Sequence, residues 1–209
     1  MATLEDFVPD VSLDCMGVPL PVMEHAIRLA AIEFCDISRA WKETGSINVK
    51  ASRASYEVPV PDGANLMVIE KVYYNGVRID PCAPDALDDR YQNWTVMTGD
   101  PEVFTQLSPA NLTLVPCPVT DLLKGLRFRA CYQPDRTATE VPDWLFQQYA
   151  TPIAKGAVAI LASKKGLPCY DEGLSAARRD EFLLAANTAK HKADKGFTRA
   201  PRRVKGHFQ

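Results

Sequence analysis

The sequence predicts an α+β fold: a small helical bundle with an inserted antiparallel β unit and an extended basic C-terminal tail. Three observations predict it. Residues 22–50 and 140–195 contain helical apolar periods, residues 51–139 contain short strand-like runs, and positive charge gathers towards residue 209. The chain has 209 residues, 46% hydrophobic and 24% charged, which is enough to bury a core without disulfides or metal ions.

The first 21 residues are predicted to form an irregular N-terminal arm, because prolines stand at positions 9, 19 and 21. A helix of about six turns follows and opens the bundle in residues 22–50. Pro21 suits its first turn and Gly45 suits its end. The apolar face of this helix comprises Met23, Ile27, Ala30, Phe34, Ile37 and Trp41.

Residues 51–139 are predicted to form the inserted β unit. The run from Ser55 to Val60 suits an edge strand, because Pro59 cannot donate to a ladder. Asn75-Gly76 between two β-prone runs indicates a tight hairpin. A long loop, Asp80 to Gly99, follows, and we expect Trp94 to hold it against an apolar surface. Three further strands are predicted at Pro101–Leu107, Asn111–Val115 and Leu126–Tyr132.

Residues 140–195 return to a helical period and complete the bundle. Pro142 and Asp143 mark the start of one helix, and Pro152 is expected to kink or split it. That helix is predicted to stop near Gly166, where a glycine can cap it. A last helix runs from Asp171 to about Lys195. Its narrow, alanine-rich face comprises Phe182, Ala185, Ala189 and Ala193.

Charge is distributed unevenly along the chain. Residues 186–209 contain seven lysines and arginines against one aspartate, a surplus of six. Since the whole chain has a net charge of −2, the remaining residues carry −8. An acidic body with a basic tail (residues 196–209) suggests that the tail binds an acidic partner, either nucleic acid or an acidic protein surface. A tail that is only solvated is the remaining alternative.

No residue pattern indicates catalysis. The histidines His25, His191 and His207 lack zinc-site spacing, and there is no nucleophile elbow or phosphate loop. No two of the six cysteines have metal-site or redox spacing, so we expect reduced thiols. We therefore predict that the chain is not an enzyme and has no cofactor or metal.

The N-terminus lacks a basic region followed by an apolar core, so we expect no secretory export. The longest apolar-rich stretch, residues 22–41, carries too many charged side chains to span a bilayer, and we expect no membrane association.

The order of these elements resembles the head-tail adaptors (connector or head-completion proteins) of tailed bacteriophages. In layout it is most similar to the adaptors of short-tailed phages, including the tail tubular group. The resemblance covers residues 21–196 and is carried by the opening helix, the hairpin, the later strands and the two closing helices. The resemblance rests on the order and texture of the elements rather than on one diagnostic motif. Among the segments that carry it are Tyr56–Pro61, Val68–Val72, Asn75-Gly76, Gly99–Pro101, Leu112–Pro118 and Val141–Leu145.

This resemblance implies a virion structural protein at the neck, assembled in the cytoplasm of the bacterial host. Such adaptors form a ring, usually of twelve copies, under the portal. The ring joins head to tail and continues the channel through which double-stranded DNA passes, without sequence specificity, during genome ejection. The implied partners are the portal protein, tail or nozzle proteins, and other copies of the chain.

The resemblance also implies which residues meet those partners. The basic tail is expected to order on docking to the portal, with its cations pairing portal acids. The long loop is expected to face tail proteins. The portal-docking candidates are Phe197, Arg199, Arg202, Arg203, Lys205 and Phe208, and the tail-partner candidates are Asp88, Trp94 and Phe104.

Two alternatives remain open from the sequence. One is a nucleic-acid-binding protein whose basic tail contacts phosphates. The other is an enzyme with an unrecognised site around the Asp80–Gly99 loop. The aromatic side chains of Tyr73, Tyr74 and Phe128, the last between two arginines, could stack on single-stranded nucleic acid. An alternating strand with its arginines outward explains the pattern around Phe128 more simply.

Overall fold

The computed structural model describes residues 1–91 and 93–195 and confirms a mixed α+β fold. The chain divides into two units, which we name here. The helical unit comprises Met1–Trp41 and the residues from Gln133 onward, and the sheet unit comprises Lys42–Tyr132. In chain order the elements are β1 (Ala2–Thr3), a 3-10 turn (Leu4–Phe7), α1 (Val8–Ser12), α2 (Leu20–Ser38), β2 (Lys42–Val49), β3 (Ser55–Glu57), β4 (Ala64–Tyr74), β5 (Val77–Pro81), α3 (Pro84–Arg90), β6 (Val103–Ser108), β7 (Asn111–Val115), β8 (Leu122–Pro134), β9 (Glu140–Val141), α4 (Asp143–Ala162) and α5 (Glu172–Lys195).

The first residues contain regular elements, so the prediction of an irregular arm is wrong. β1 pairs antiparallel with β9, with Ala2 opposite Val141. Phe7 and Val11 are fully buried, and the Phe7 ring lies edge-on to that of Phe146 at 4.9 Å between centroids. Elements of two to five residues are too short to show a hydrophobic period in the sequence. Tertiary contacts, rather than a local pattern, stabilise them.

Helix α2 ends earlier than the sequence predicts. Of its predicted face, Met23, Ile27, Ala30 and Phe34 are buried, Ile37 is half-buried and Trp41 lies beyond the helix end. The helix closes at Arg39, which has a left-handed φ of 48° and donates its N–H to the Cys35 carbonyl at 2.8 Å. Gly45 therefore does not cap the helix. It lies inside β2, an eight-residue strand with few apolar side chains and hence little alternation to recognise.

Helix α4 begins after Pro142 and is kinked where the sequence predicts. Tyr149, three residues before Pro152, leaves the helical region with φ −135° and ψ 18°. A proline inside a helix removes one hydrogen bond and clashes with the preceding turn, which explains the break. The helix ends at Ala162, and Gly166 turns the chain with a φ of 98°.

Helix α5 is capped by Asp171, whose Oδ1 accepts the Leu174 N–H at 2.9 Å. Only Phe182, Ala186 and Ala189 are buried along its 24 residues. The predicted narrow face is therefore present, with Ala186 in place of a fully buried Ala185. Small residues let α5 approach α2 and α4 closely, and these three helices pack against one another.

The sheet unit contains a seven-stranded sheet in the order β2-β8-β4-β5-β6-β7-β3. Six predicted strands are present within a few residues of their expected bounds. The β4–β5 hairpin turns at Asn75 and Gly76, whose φ values of 46° and 82° are those that the Asn-Gly signal predicts. In β8 the side chains of Leu126, Phe128 and Ala130 are buried while the arginines between them are exposed, as the alternating interpretation requires.

One ladder differs from the predicted antiparallel arrangement. β5 pairs parallel with β6, with Asp80 opposite Val103. Parallel neighbours need a long crossover, usually with a helix. The Asp80–Gly99 segment provides it and contains α3, which the sequence analysis missed although Pro84 and Asp85 are the same start signals that identify α4.

Candidate functional site

The structure places the predicted tail-partner residues in the sheet unit. Asp88 is exposed on α3, Trp94 is half-buried in the loop after that helix, and Phe104 is only 3% exposed on β6. Phe104 therefore lies in the interior of the sheet unit rather than at its surface. The portal-docking candidates Phe197, Arg199, Arg202, Arg203, Lys205 and Phe208 lie outside the described residues.

Helix α3 is fixed to the sheet by a small apolar cluster. Leu87 is fully buried against Val103 of β6 and Val115 of β7. Tyr91 and Trp94 pack against the same cluster from the following loop. The prediction that Trp94 holds this segment against an apolar surface is therefore confirmed.

Polar contacts fix the orientation of both aromatic side chains. The Trp94 indole Nε1 donates to Asp88 Oδ1 at 2.7 Å, and the Tyr91 hydroxyl donates to Glu102 Oε2 at 3.1 Å. Burial and the hydrogen bond to Glu102 raise the pKa of Tyr91. The carboxylate of Asp88 is in this way held beside the indole edge.

The loop that carries Trp94 is also tied down by its backbone. The Cys117 N–H donates to the Met97 carbonyl at 2.8 Å, and the Gly99 N–H donates to the Cys117 carbonyl at 2.9 Å. Thr98 and Cys117 form a parallel bridge. The wall formed by residues 93–99 is therefore a defined surface of the sheet unit.

A groove of about 310 Å³ lies between this wall and the end of the sheet. Its volume is at the lower end of the range for small-molecule pockets, so it suits one or two side chains. β3 is the last strand of the sheet and borders the groove. Among the residues that line the groove are Ser55, Trp94, Thr95, Leu107, Asn111 and Thr113.

Exposed apolar side chains extend the groove at the surface. Leu107 is 59% exposed at its lining and Val96 is 75% exposed in the adjoining loop. Leu107 and Asn111 were not predicted from the sequence as groove residues. The available signal was the Ser108-Pro109 turn, which places a large aliphatic residue at the end of a predicted strand.

Charged side chains of the helical unit are paired across its helices. Arg178 of α5 donates to both oxygens of Asp14, at 2.8 and 3.3 Å, and to Glu181 at 3.0 Å. Lys155 and Arg178 together hold the pKa of Glu181 below its usual value. Arg179 makes a two-pronged pair with Glu33 of α2. These contacts fasten α5 to its neighbours and are structural in kind.

Within residues 1–91 and 93–195, no group of three or more histidine, cysteine or acidic side chains is placed to hold a metal ion. The six cysteines form no disulfides, and three of them are buried. No helix in that part of the chain is both long and apolar enough to cross a membrane.

A surface groove with an aromatic wall is a feature by which a protein binds other proteins. The comparison with known families gives the class more specifically. The family model for the SU10 adaptor protein matches residues 2–205, nearly the whole chain. The chain therefore belongs to the SU10 adaptor family. No curated protein matches it in sequence.

Family membership supports a structural role as a phage head-tail adaptor, and with it interaction with portal and tail proteins at the virion neck. It implies a role other than catalysis. The predicted resemblance is confirmed at the level of the family, and the closer likeness to adaptors of short-tailed phages stays a prediction.

Proposed function

We propose that this protein forms a ring of twelve copies beneath the portal of a short-tailed phage, where it joins head to tail. The ring continues the channel through which the genome leaves the head. The observation that carries this proposal is the family match over residues 2–205. Ring formation needs two different faces on each subunit, and the side of α5 that is not packed against α2 and α4 offers one of them.

The basic tail docks on the portal in this proposal. The support is the charge of the chain, since residues 186–209 carry six surplus positive charges on an otherwise acidic protein. Arg199, Arg202, Arg203 and Lys205 would pair acids of the portal. An acidic body also suits a channel, because carboxylates do not hold passing DNA, whereas a basic lining would.

Co-sedimentation with purified portal rings tests the proposal. The full chain is compared with a tail variant that has R199Q, R202Q, R203Q and K205Q, and with a control, K164Q and K165Q, which neutralises two exposed lysines of the helical unit. We expect stoichiometric binding of the full chain and of the control, and loss of binding in the tail variant.

The outcomes separate the parts of the proposal. Undiminished binding of the tail variant keeps the adaptor but removes the docking role of the tail. Absence of binding by the full chain, together with binding to double-stranded DNA that weakens steeply with salt, supports the alternative of a nucleic-acid-binding protein that uses the basic tail.

A further inference from the structure

The segment that provides the α3 side of the groove is strongly acidic in sequence. Between residues 80 and 102 the chain has six acidic side chains and one arginine, and all six acids are exposed. Asp88 is the one whose place next to the groove is fixed, because its carboxylate accepts the indole N–H of a lining residue, Trp94, at 2.7 Å. A ligand that enters here therefore meets negative charge on the α3 side.

The opposite side of the groove has a different character. Ser55 of the edge strand β3 lines it. The Arg53 Nε donates to the Ser55 carbonyl at 2.9 Å, and the Arg53 guanidinium carbon lies 5.3 Å from the centroid of the Tyr56 ring. Asn111 and Thr113 add an amide and a hydroxyl. These polar groups suit the main chain of an extended segment, while Leu107 and Trp94 suit an apolar side chain.

We propose that this groove receives an apolar side chain from a lysine- and arginine-rich segment of the tail-side protein. The identification of that partner rests on the proposed function above. Charge complementarity with the α3 side selects a basic segment, and the apolar lining selects an anchor such as leucine or phenylalanine. The acidic surroundings disfavour DNA as the occupant.

Peptide binding to the full chain tests the inference directly. The probes are three synthetic peptides: Ac-GKRLFKRG-amide, its charge-reversed form Ac-GEELFEEG-amide, and residues 196–209 of this chain. Binding is measured by fluorescence anisotropy of the labelled peptides up to about 1 mM, the weak end of the affinity scale. We expect saturable binding of the basic peptide, at least about tenfold weaker binding of the acidic peptide, and weakening with salt.

Two variants locate the binding. Leu107→Ser removes exposed apolar surface from the groove and is expected to weaken binding of the basic peptide about tenfold. Asp88→Asn removes the charge but keeps an oxygen that accepts the Trp94 indole N–H. It is expected to weaken binding of the basic peptide about threefold. The matched controls in the same unit are Leu123→Ser, which changes a leucine 90% exposed on β8, and Asp62→Asn in an exposed turn. Thermal unfolding verifies that all four variants fold.

Several results would overturn the inference. They are no saturable binding by the basic peptide, equal binding of the two charged peptides, or equal effects of the variants and their controls. Tighter, Leu107-dependent binding of the 196–209 peptide would assign the groove to a second copy of the chain instead. Loss of portal binding in the Leu107→Ser variant would mean that the groove binds the portal rather than the tail-side protein.

The portal assay separates this inference from the proposed function. Portal binding without peptide binding leaves the adaptor role intact and removes the inference. Peptide binding that depends on Leu107, with no portal binding by the wild-type chain, supports the chemistry of the groove and overturns the assignment of its partner to the tail.

Discussion

Phe182 of α5 lies so close to Gly156 of α4 that a methyl group on the glycine would be 2.7 Å from Cδ2 of the ring. The same methyl group would be 3.1 Å from Cβ of Ala30 on α2. Since both neighbours are fully buried or nearly so, neither can move freely aside. At Gly156 the three long helices of the helical unit therefore pack too closely for a side chain to fit without displacing a neighbour.

Gly156→Ala is expected to destabilise the protein although alanine favours helices. The gain in helix propensity is about 1 kcal/mol, whereas overpacking a core costs about 1–3 kcal/mol, so the expected net loss is up to about 2 kcal/mol. Urea unfolding measures it. The double variant with Phe182→Leu relieves the contact, so the two changes together should cost less than their sum. Strict additivity would show that the contact does not limit packing.

Gly45 of β2 is covered by the ring of Phe128, its directly opposite partner on β8. A Cβ atom at position 45 would be 2.4 Å from Cζ of that ring. Gly45→Val should therefore destabilise the protein by about 1–3 kcal/mol despite the β propensity of valine. Ser46→Val, at the next and exposed position, is the control and should change stability little. Equal effects of the two substitutions on the unfolding midpoint would contradict the role of the ring.

Asp171 caps α5 through its contact with the Leu174 N–H. Asp171→Ala leaves that donor without a partner and should cost about 1 kcal/mol. Asp171→Asn retains an accepting oxygen and should restore most of the stability. Thermal unfolding of both variants measures the difference, and an asparagine variant as unstable as the alanine variant would mean that the accepted hydrogen bond is not what stabilises the helix end.

Arg39 closes α2 in a left-handed conformation that costs energy for any residue with a Cβ atom. Arg39→Gly should therefore stabilise the protein by about 0.5–1 kcal/mol. Arg39→Ala removes the same charge but keeps the strain, so it should be close to neutral. Chemical denaturation distinguishes the two, and a glycine variant no more stable than the alanine variant would refute the argument.

The long helices and the hairpin could be predicted from the sequence because their signals are local. Apolar spacing identified α2 and α4, Pro152 identified the kink, and Asn75-Gly76 identified the turn. The end of α2 could not be predicted, because an arginine took the left-handed position that a glycine normally takes. The alternation of β8 was visible because its buried and exposed residues differ strongly in polarity.

The candidate site was predictable only in part, because it depends on contacts between distant segments. Trp94 and Asp88 were recognised from a long loop with an aromatic residue. Leu107 lines the groove because the loop with Trp94 and Thr95 lies next to the β6–β7 turn, and a local pattern does not show a contact between segments that are distant in sequence.

Tyr132 makes stability depend on pH on the alkaline side. Burial, with the nearby charge of Glu43, raises its pKa to about 12, and its hydroxyl donates to the Pro59 carbonyl at 2.8 Å. In the unfolded chain the hydroxyl has a pKa of about 10, so between these values the folded state holds a proton that the unfolded state has lost. The contribution of the Tyr132 hydroxyl to the free energy of unfolding is therefore complete below pH 10 and is lost as pH rises towards 12.

At pH 11 this loss amounts to about 1.4 kcal/mol relative to pH 8. Tyr132→Phe has no proton to lose at this position. It should be less stable than the wild type at pH 8 by about 1 kcal/mol for the missing hydrogen bond, yet its stability should fall less steeply above pH 10. Urea unfolding at pH 8 and pH 11 measures both slopes. If the two proteins lose the same stability over this interval, the buried hydroxyl does not carry the alkaline dependence.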